Sequence, residues 1–133
     1  MRHLSVTFPL LDRATDTVYS RLVPHAPGRR ASLYNLNVMD DGTTVELVSV
    51  EGDLDRILAE LADRENLLEF EVIESREETH YLYQRVEQDP LLLGLLDLLR
   101  SNHMLIDFPI TYGEHGVTIR VVGPEQDVQT VFE

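Results

Sequence analysis

The chain of 133 residues contains no cysteine and no lysine, and no long apolar run. The first absence removes disulfide frameworks, thiolate metal sites and thiol nucleophiles. The third removes membrane helices. A span needs roughly 18 to 20 apolar residues, and the leucine-rich stretch from Pro90 to Leu99 is about half that length. The opening MRHLSVTFPLLDRATD holds an apolar run, but Arg2 and Asp12 bracket it and no small-residue cleavage site follows, so it is not a signal peptide. These features predict a cytoplasmic protein without membrane contact.

The missing lysine is one half of a charge pattern. All 11 basic residues are arginine, set against 24 Asp plus Glu, for a formal net charge of −13. An acidic, lysine-free surface is the composition of proteins that work in molar salt, where the screening length shrinks to about 3 Å. The same charge argues against nucleic acid as a direct partner. Affinity for DNA rests largely on Lys and Arg neutralising phosphates, and only Arg29 and Arg30 adjoin one another.

Along the chain, hydrophobic patterning gives a mixed α+β domain. Leu4, Val6 and Phe8 alternate as a short strand ended by Pro9. Asp12 to Leu22 carries a helical stripe at Ala14, Val18, Tyr19 and Leu22, with a loop as the alternative because Thr15, Thr17 and Val18 are β-branched. Pro24 to Arg30 is irregular. Residues 1–30 therefore read as an N-terminal strand and a connecting segment within a single domain spanning 1–133.

Next comes a hairpin. Tyr34, Leu36 and Val38 occupy one face, Asp40-Asp41-Gly42 supplies the turn, and Val45 to Val50 returns. Asp53 then caps a helix whose Leu54, Ile57, Leu58 and Leu61 form one apolar stripe. The design recurs twice. Leu68, Phe70 and Val72 alternate, a turn covers Ser75 to Glu78, Tyr81 to Val86 returns, and Asp89 and Pro90 open a second helix. Met104, Ile106, Phe108 and Ile110 form the next strand, Tyr112 to Gly116 turns, Val117 to Val122 returns, and a helix after Pro124 carries Val128, Val131 and Phe132. Val50, Val86 and Val122 stand 36 residues apart. An even period keeps inward residues inward, so three ββα units could extend one antiparallel sheet with helices mainly on one face. From Thr43 to Tyr112 the order β, α, β, β, α, β is that of a ferredoxin-like core. True duplication and reuse of a common unit fit equally.

Chemistry-bearing clusters are sparse. The five histidines lack ligand spacing and sit in different elements. Acidic pairs such as Asp40-Asp41 and Glu77-Glu78 suit solvated turns, and no phosphate loop or nucleophile motif is present. No enzyme, metal site or cofactor is expected. The candidate ligand or interface residues are the strand aromatics Tyr34, Phe70, Tyr81 and Tyr83 and the helix residues Leu92, Leu95, Leu96 and Leu99. The second group belongs to a helix apolar nearly all round, which suits a core helix or a homodimer interface. The last helix begins near Pro124 and reaches Glu133 after about two turns without a capping signal, which suggests a further domain beyond it.

YNLNVMDDGTTVELVSVEGDLDRI and SNHMLIDFPITYGEHGVTIRVVG, with the lysine-free acidic composition, resemble the N-terminal domain of haloarchaeal bacterio-opsin activator-like transcription regulators. The likeness covers roughly Leu33 to Phe132 and carries nothing onto residues 1–30. It implies a sensing, dimerising or interaction domain that precedes a DNA-binding helix-turn-helix absent from these residues. It implies no effector contacts. The alternative is a stand-alone ferredoxin-like ligand-binding or scaffold protein.

The composition predicts that the domain melts at least about 4 °C higher in molar KCl than in dilute buffer, the shift expected for about 1 kcal/mol in a domain of this size. Thermal melts followed by circular dichroism check it. Equal midpoints in both solutions would refute it.

Overall fold

The computed structural model describes residues 1–8, 30–87, 90–113 and 116–132. Seven strands form one antiparallel sheet, accompanied by three described helices: β1 Arg2–Phe8, β2 Ala31–Val38, β3 Thr44–Glu51, α1 Leu54–Ala62, β4 Leu67–Arg76, β5 Thr79–Val86, α2 Pro90–Ser101, β6 Leu105–Gly113, β7 Gly116–Gly123 and α3 Glu125–Phe132. The order across the sheet is β1-β7-β6-β2-β3-β5-β4. The α+β class is therefore as the patterning predicts. The stretches expected at Asp12 to Leu22 and Pro24 to Arg29, and the cap at Asp89, lie outside the described residues.

The β2–β3 hairpin sits near the middle of the sheet, and local chemistry closes it. The Thr43 amide and hydroxyl both donate to Asp41 Oδ1, at 2.9 and 2.6 Å, and the Met39 amide donates to the Thr43 carbonyl. Gly42 takes φ +87°, a conformation L side chains rarely adopt. The Thr43 hydroxyl, followed by its amide, holds the Asp41 carboxyl below its ordinary value. A group depressed in this way supports the turn above the ordinary carboxylate range and stops doing so as pH falls through its lowered value.

Hairpin closure also decides the topology. β3 pairs β2 on one side and β5 on the other. β5 lies between β3 and β4, and α1 connects those two, so the first half is a split βαβ arrangement. A ferredoxin-like order would next place β6 beside β3. Here β2 already occupies that edge, and β6 pairs with β2 instead, over Ala31–Leu33 against Tyr112–Ile110. Beyond that, the β6 register with β7 breaks between Asp107 and Thr111. Pro109 falls in the break, where it has no amide to donate.

One face of the sheet carries the core. Val48 and Val50 of β3, Leu82 and Val86 of β5, Leu33 and Ala31 of β2, Ile110 of β6 and Val121 of β7 are buried there. Ile57 and Leu61 of α1, Leu99 of α2 and Val128 of α3 complete the same cluster. Asp53 caps α1 as expected, its carboxylate accepting from the Arg56 amide at 3.1 Å. Each fully buried Leu or Ile contributes about 1.5–3 kcal/mol through area removed from water.

Three expected facings are corrected, each by a break in period-2 alternation. The β2–β3 register slips between Leu33 and Asn35, so Tyr34 turns to the outer face while Leu36 packs against the core. β4 slips twice, and its inward residues are Leu67, Phe70 and Val72, with Leu68 42% exposed. In β7 it is Val121 that is fully buried, opposite Leu4 and Ile106, while Val122 pairs with exposed His3 and Leu105. The 36-residue spacing therefore preserves facing from Val50 to Val86 and loses it at Val122. A bulge adds one residue to one strand and inverts everything after it.

Leu61→Ala should cost about 2–5 kcal/mol by removing a fully enclosed side chain, and Leu68→Ala less than about 1 kcal/mol. Urea unfolding in molar KCl measures both. A reversed ranking would contradict the bulge.

Candidate functional site

The outer face of β2, β3, β5 and β4 is built by register. Three rows of directly opposed residues cross it: Val45, Arg85 and Glu69; Leu47, Tyr83 and Glu71; Ser49, Tyr81 and Glu74. Asn35 and Asn37 of β2 extend the rows at Leu47 and Val45. Residues directly opposed across antiparallel strands have Cβ atoms about 4.5–5.5 Å apart. The rows thus place aromatic rings between aliphatic and acidic neighbours.

The bulge adds a third tyrosine. Tyr34 comes to lie with its ring centroid 6.2 Å from that of Tyr81, the planes inclined at 35°. The Ser49 hydroxyl donates to the Tyr34 hydroxyl at 3.4 Å. Beside this pair a shallow depression of about 310 Å³ is lined by Asn35, Asn37, Val45, Leu47 and Tyr83, among others. That volume is near the lower bound for small-molecule pockets. On its rim Arg85 lies 3.7 Å from Asp41 and 3.8 Å from Glu69. The Tyr83 hydroxyl donates to Glu69 at 3.2 Å. Desolvation first, then this hydrogen bond and the Glu69 charge, push the Tyr83 phenol above its ordinary value.

Of the four aromatics expected to present a ligand surface, Tyr34, Tyr81 and Tyr83 therefore gather on this face. Phe70 does not join them. It lies opposite buried Gln84 and packs into the core on the other face. The α2 residues stand apart from both. Leu99 is 2% exposed and Leu95 packs against the core, Leu92 and Leu96 are half-buried, and Leu98 is 45% exposed.

A buried polar pair was not anticipated. Gln84 Nε2 donates to Glu46 Oε1 at 2.6 Å beneath the sheet, both side chains facing the core. The signal was available, because Glu46 stands two residues from both Thr44 and Val48 on the inward register of β3. His80 is likewise buried and structural. Its Nε2 donates to the Gly52 carbonyl at 2.8 Å, which leaves Nδ1 to accept from the Ser75 hydroxyl at 2.8 Å. Among the described residues no three of His, Asp and Glu gather where they could hold a metal ion. Nor, among them, is any helix long and apolar enough to cross a membrane.

The arginines are dispersed among acids. Arg76 meets Glu74, Arg85 meets Asp41 and Glu69, Arg100 meets Asp97, and Arg120 meets Asp107. Their geometry favours neutralisation of local carboxylates over capture of phosphate.

A family model described as HVO_0513_N, N-terminal, matches residues 16–133. The chain belongs to this haloarchaeal N-terminal domain family. The family match thus takes in the six described strands from β2 to β7, the three helices and the whole tyrosine face. No curated protein and no solved structure matches the chain.

The raised Tyr83 phenol predicts one tyrosine that ionises later than the others in a spectrophotometric titration in molar KCl. Glu69→Gln should bring that transition down toward the rest, because it removes the opposing charge. The sign for stability follows: Tyr83 leaves stability unchanged below the ordinary phenol value of 10.0 and lowers it as pH rises from there through the raised folded value. An unaltered titration in Glu69→Gln would contradict the assignment.

Proposed function

We propose that this chain is the regulatory N-terminal domain of a haloarchaeal transcription regulator, working by dimerisation or by sensing a small effector. A helix-turn-helix elsewhere in the protein holds the DNA. The observation that carries this reading is the family match, whose description is of an N-terminal domain and which spans residues 16–133. The surface agrees with a division of labour. Net charge is −13 and several arginines are already paired with carboxylates, so DNA contact suits a different part of the protein. The chemistry is that of a binding module, with no resident cofactor and no catalytic role.

A second reading draws on the tyrosine-lined depression, which would equally suit a stand-alone ligand-binding or scaffold domain. The two separate on one measurement. The complete gene product and a fragment ending at Glu133 are compared in gel-shift assays in molar KCl, using DNA from upstream of the gene. Retardation by the complete product alone is the expected result. A complete product that binds no DNA overturns the regulator reading in favour of the stand-alone one. Equal binding by the fragment overturns the division of labour.

A further inference from the structure

The two margins of the sheet are built in opposite ways. β4, at one end, slips register twice and carries Glu69, Glu71 and Glu74 in a strand of 10 residues. Bulges and inward or outward charges are the usual means of stopping an edge strand from pairing with another chain. β1, at the other end, has neither. Its 7 residues pair with β7 in unbroken register from Arg2 to Phe8, and it contains no proline and no acid. Its neighbour β7, GVTIRVVG, is also free of acids. In a chain with 24 Asp plus Glu, this margin is an acid-free strip. Among the described residues no strand lies on its other side.

We infer that the β1 edge is a pairing surface for a second copy of this chain, joining two sheets through an antiparallel β1–β1 contact across a two-fold axis. The inference rests on the dimerisation half of the proposed function and specifies its surface. Charge points to the β1 margin as the place of contact. Two copies at −13 repel each other wherever carboxylates meet, and β1 with β7 is the edge where they do not. Self-complementarity selects the occupant. An axis at Ser5, the middle residue of β1, sets Leu4 against the partner's Val6 and Ser5 against the partner's Ser5. Leu4 packs against the core and Val6 is half-buried, so the inner faces of the two copies would meet through apolar side chains. α3 contacts both β1 and β7, so its two copies would approach on the same side. Main-chain hydrogen bonds hold such a joint, and a two-fold axis closes it. A contact of this kind carries little charge and is indifferent to molar salt.

The absence of cysteine makes the test clean. In the full chain, Ser5→Cys places one thiol on each side of the axis, with directly opposed Cβ atoms about 4.5–5.5 Å apart, near the spacing a disulfide needs. Added diamide takes up the two electrons and two protons as the S–S bond forms. Most of the protein should run as a covalent dimer on a non-reducing gel, while Ile73→Cys on β4 stays monomeric under the same treatment. Ser5→Glu opposes two carboxylates at the axis and should convert the dimer seen by light scattering in molar KCl to monomer, with the melting midpoint of the monomer unit unchanged. A wild-type dimer that neither cross-links through Ser5→Cys nor dissociates in Ser5→Glu overturns the β1 interface and leaves dimerisation standing. A wild-type chain that is monomeric at all concentrations overturns dimerisation itself. Cross-linking of Ser5→Cys to a different polypeptide also overturns the proposal.

Discussion

Pairing of β3 on both sides is the constraint from which the architecture follows. The Asp41–Gly42 turn delivers β2 to one edge of β3, and β5 takes the other along the full length of the strand. With both edges occupied, β6 can enter the sheet only beside β2, and β7 and β1 then add outward in turn. Were the hairpin open, β3 would offer β6 the place it holds in a ferredoxin-like order. Two hydrogen bonds from Thr43 to one carboxylate thus have consequences across the sheet, because a strand has only two edges to give.

The same central strands divide the molecule into a dry side and a wet side. Helices seal the inner face around Val48, Leu82 and Ile57, each at most 1% exposed. On the outer face the alternate residues of those strands, Leu47, Tyr81 and Tyr83, remain accessible beside glutamates from β4. An effector surface on such a face comes at no cost to the core, since period-2 alternation separates the two sets of side chains. The buried Glu46–Gln84 pair is the exception to a dry interior. Its short hydrogen bond offsets the desolvation of two polar side chains facing apolar neighbours.

The reach of sequence reasoning differs between elements for an identifiable reason. The three hairpins and the three helices after them were legible, since turn residues and apolar periodicity act over a few neighbours. The DDG turn and the Asp53 cap are cases where the side chain that signals the structure also makes the bond. Facing was legible only as far as alternation continued. Tyr34, Leu68 and Val122 were each assigned inward by counting in twos, and each turns outward in the structure. Part of the candidate site depended on those same counts: Tyr81 and Tyr83 share a face by simple alternation, whereas Tyr34 reaches them through a bulge and Phe70 leaves them for the core.

What the sequence determined by itself is therefore local and compositional: an acidic, arginine-only chain without thiol chemistry, three strand pairs with their turns, and amphipathic helices in need of a sheet. The tertiary structure alone decided which edge each hairpin took and which face each bulged residue joined. Both are settled by pairing between strands far apart in the chain, where one extra residue inverts a face and one occupied edge excludes a neighbour. The opening hairpin displays both sides of this division. Its turn is written in Asp41, Gly42 and Thr43, while its role at the centre of the sheet, and the outward turn of Tyr34, exist only once β5 and β6 have taken their places.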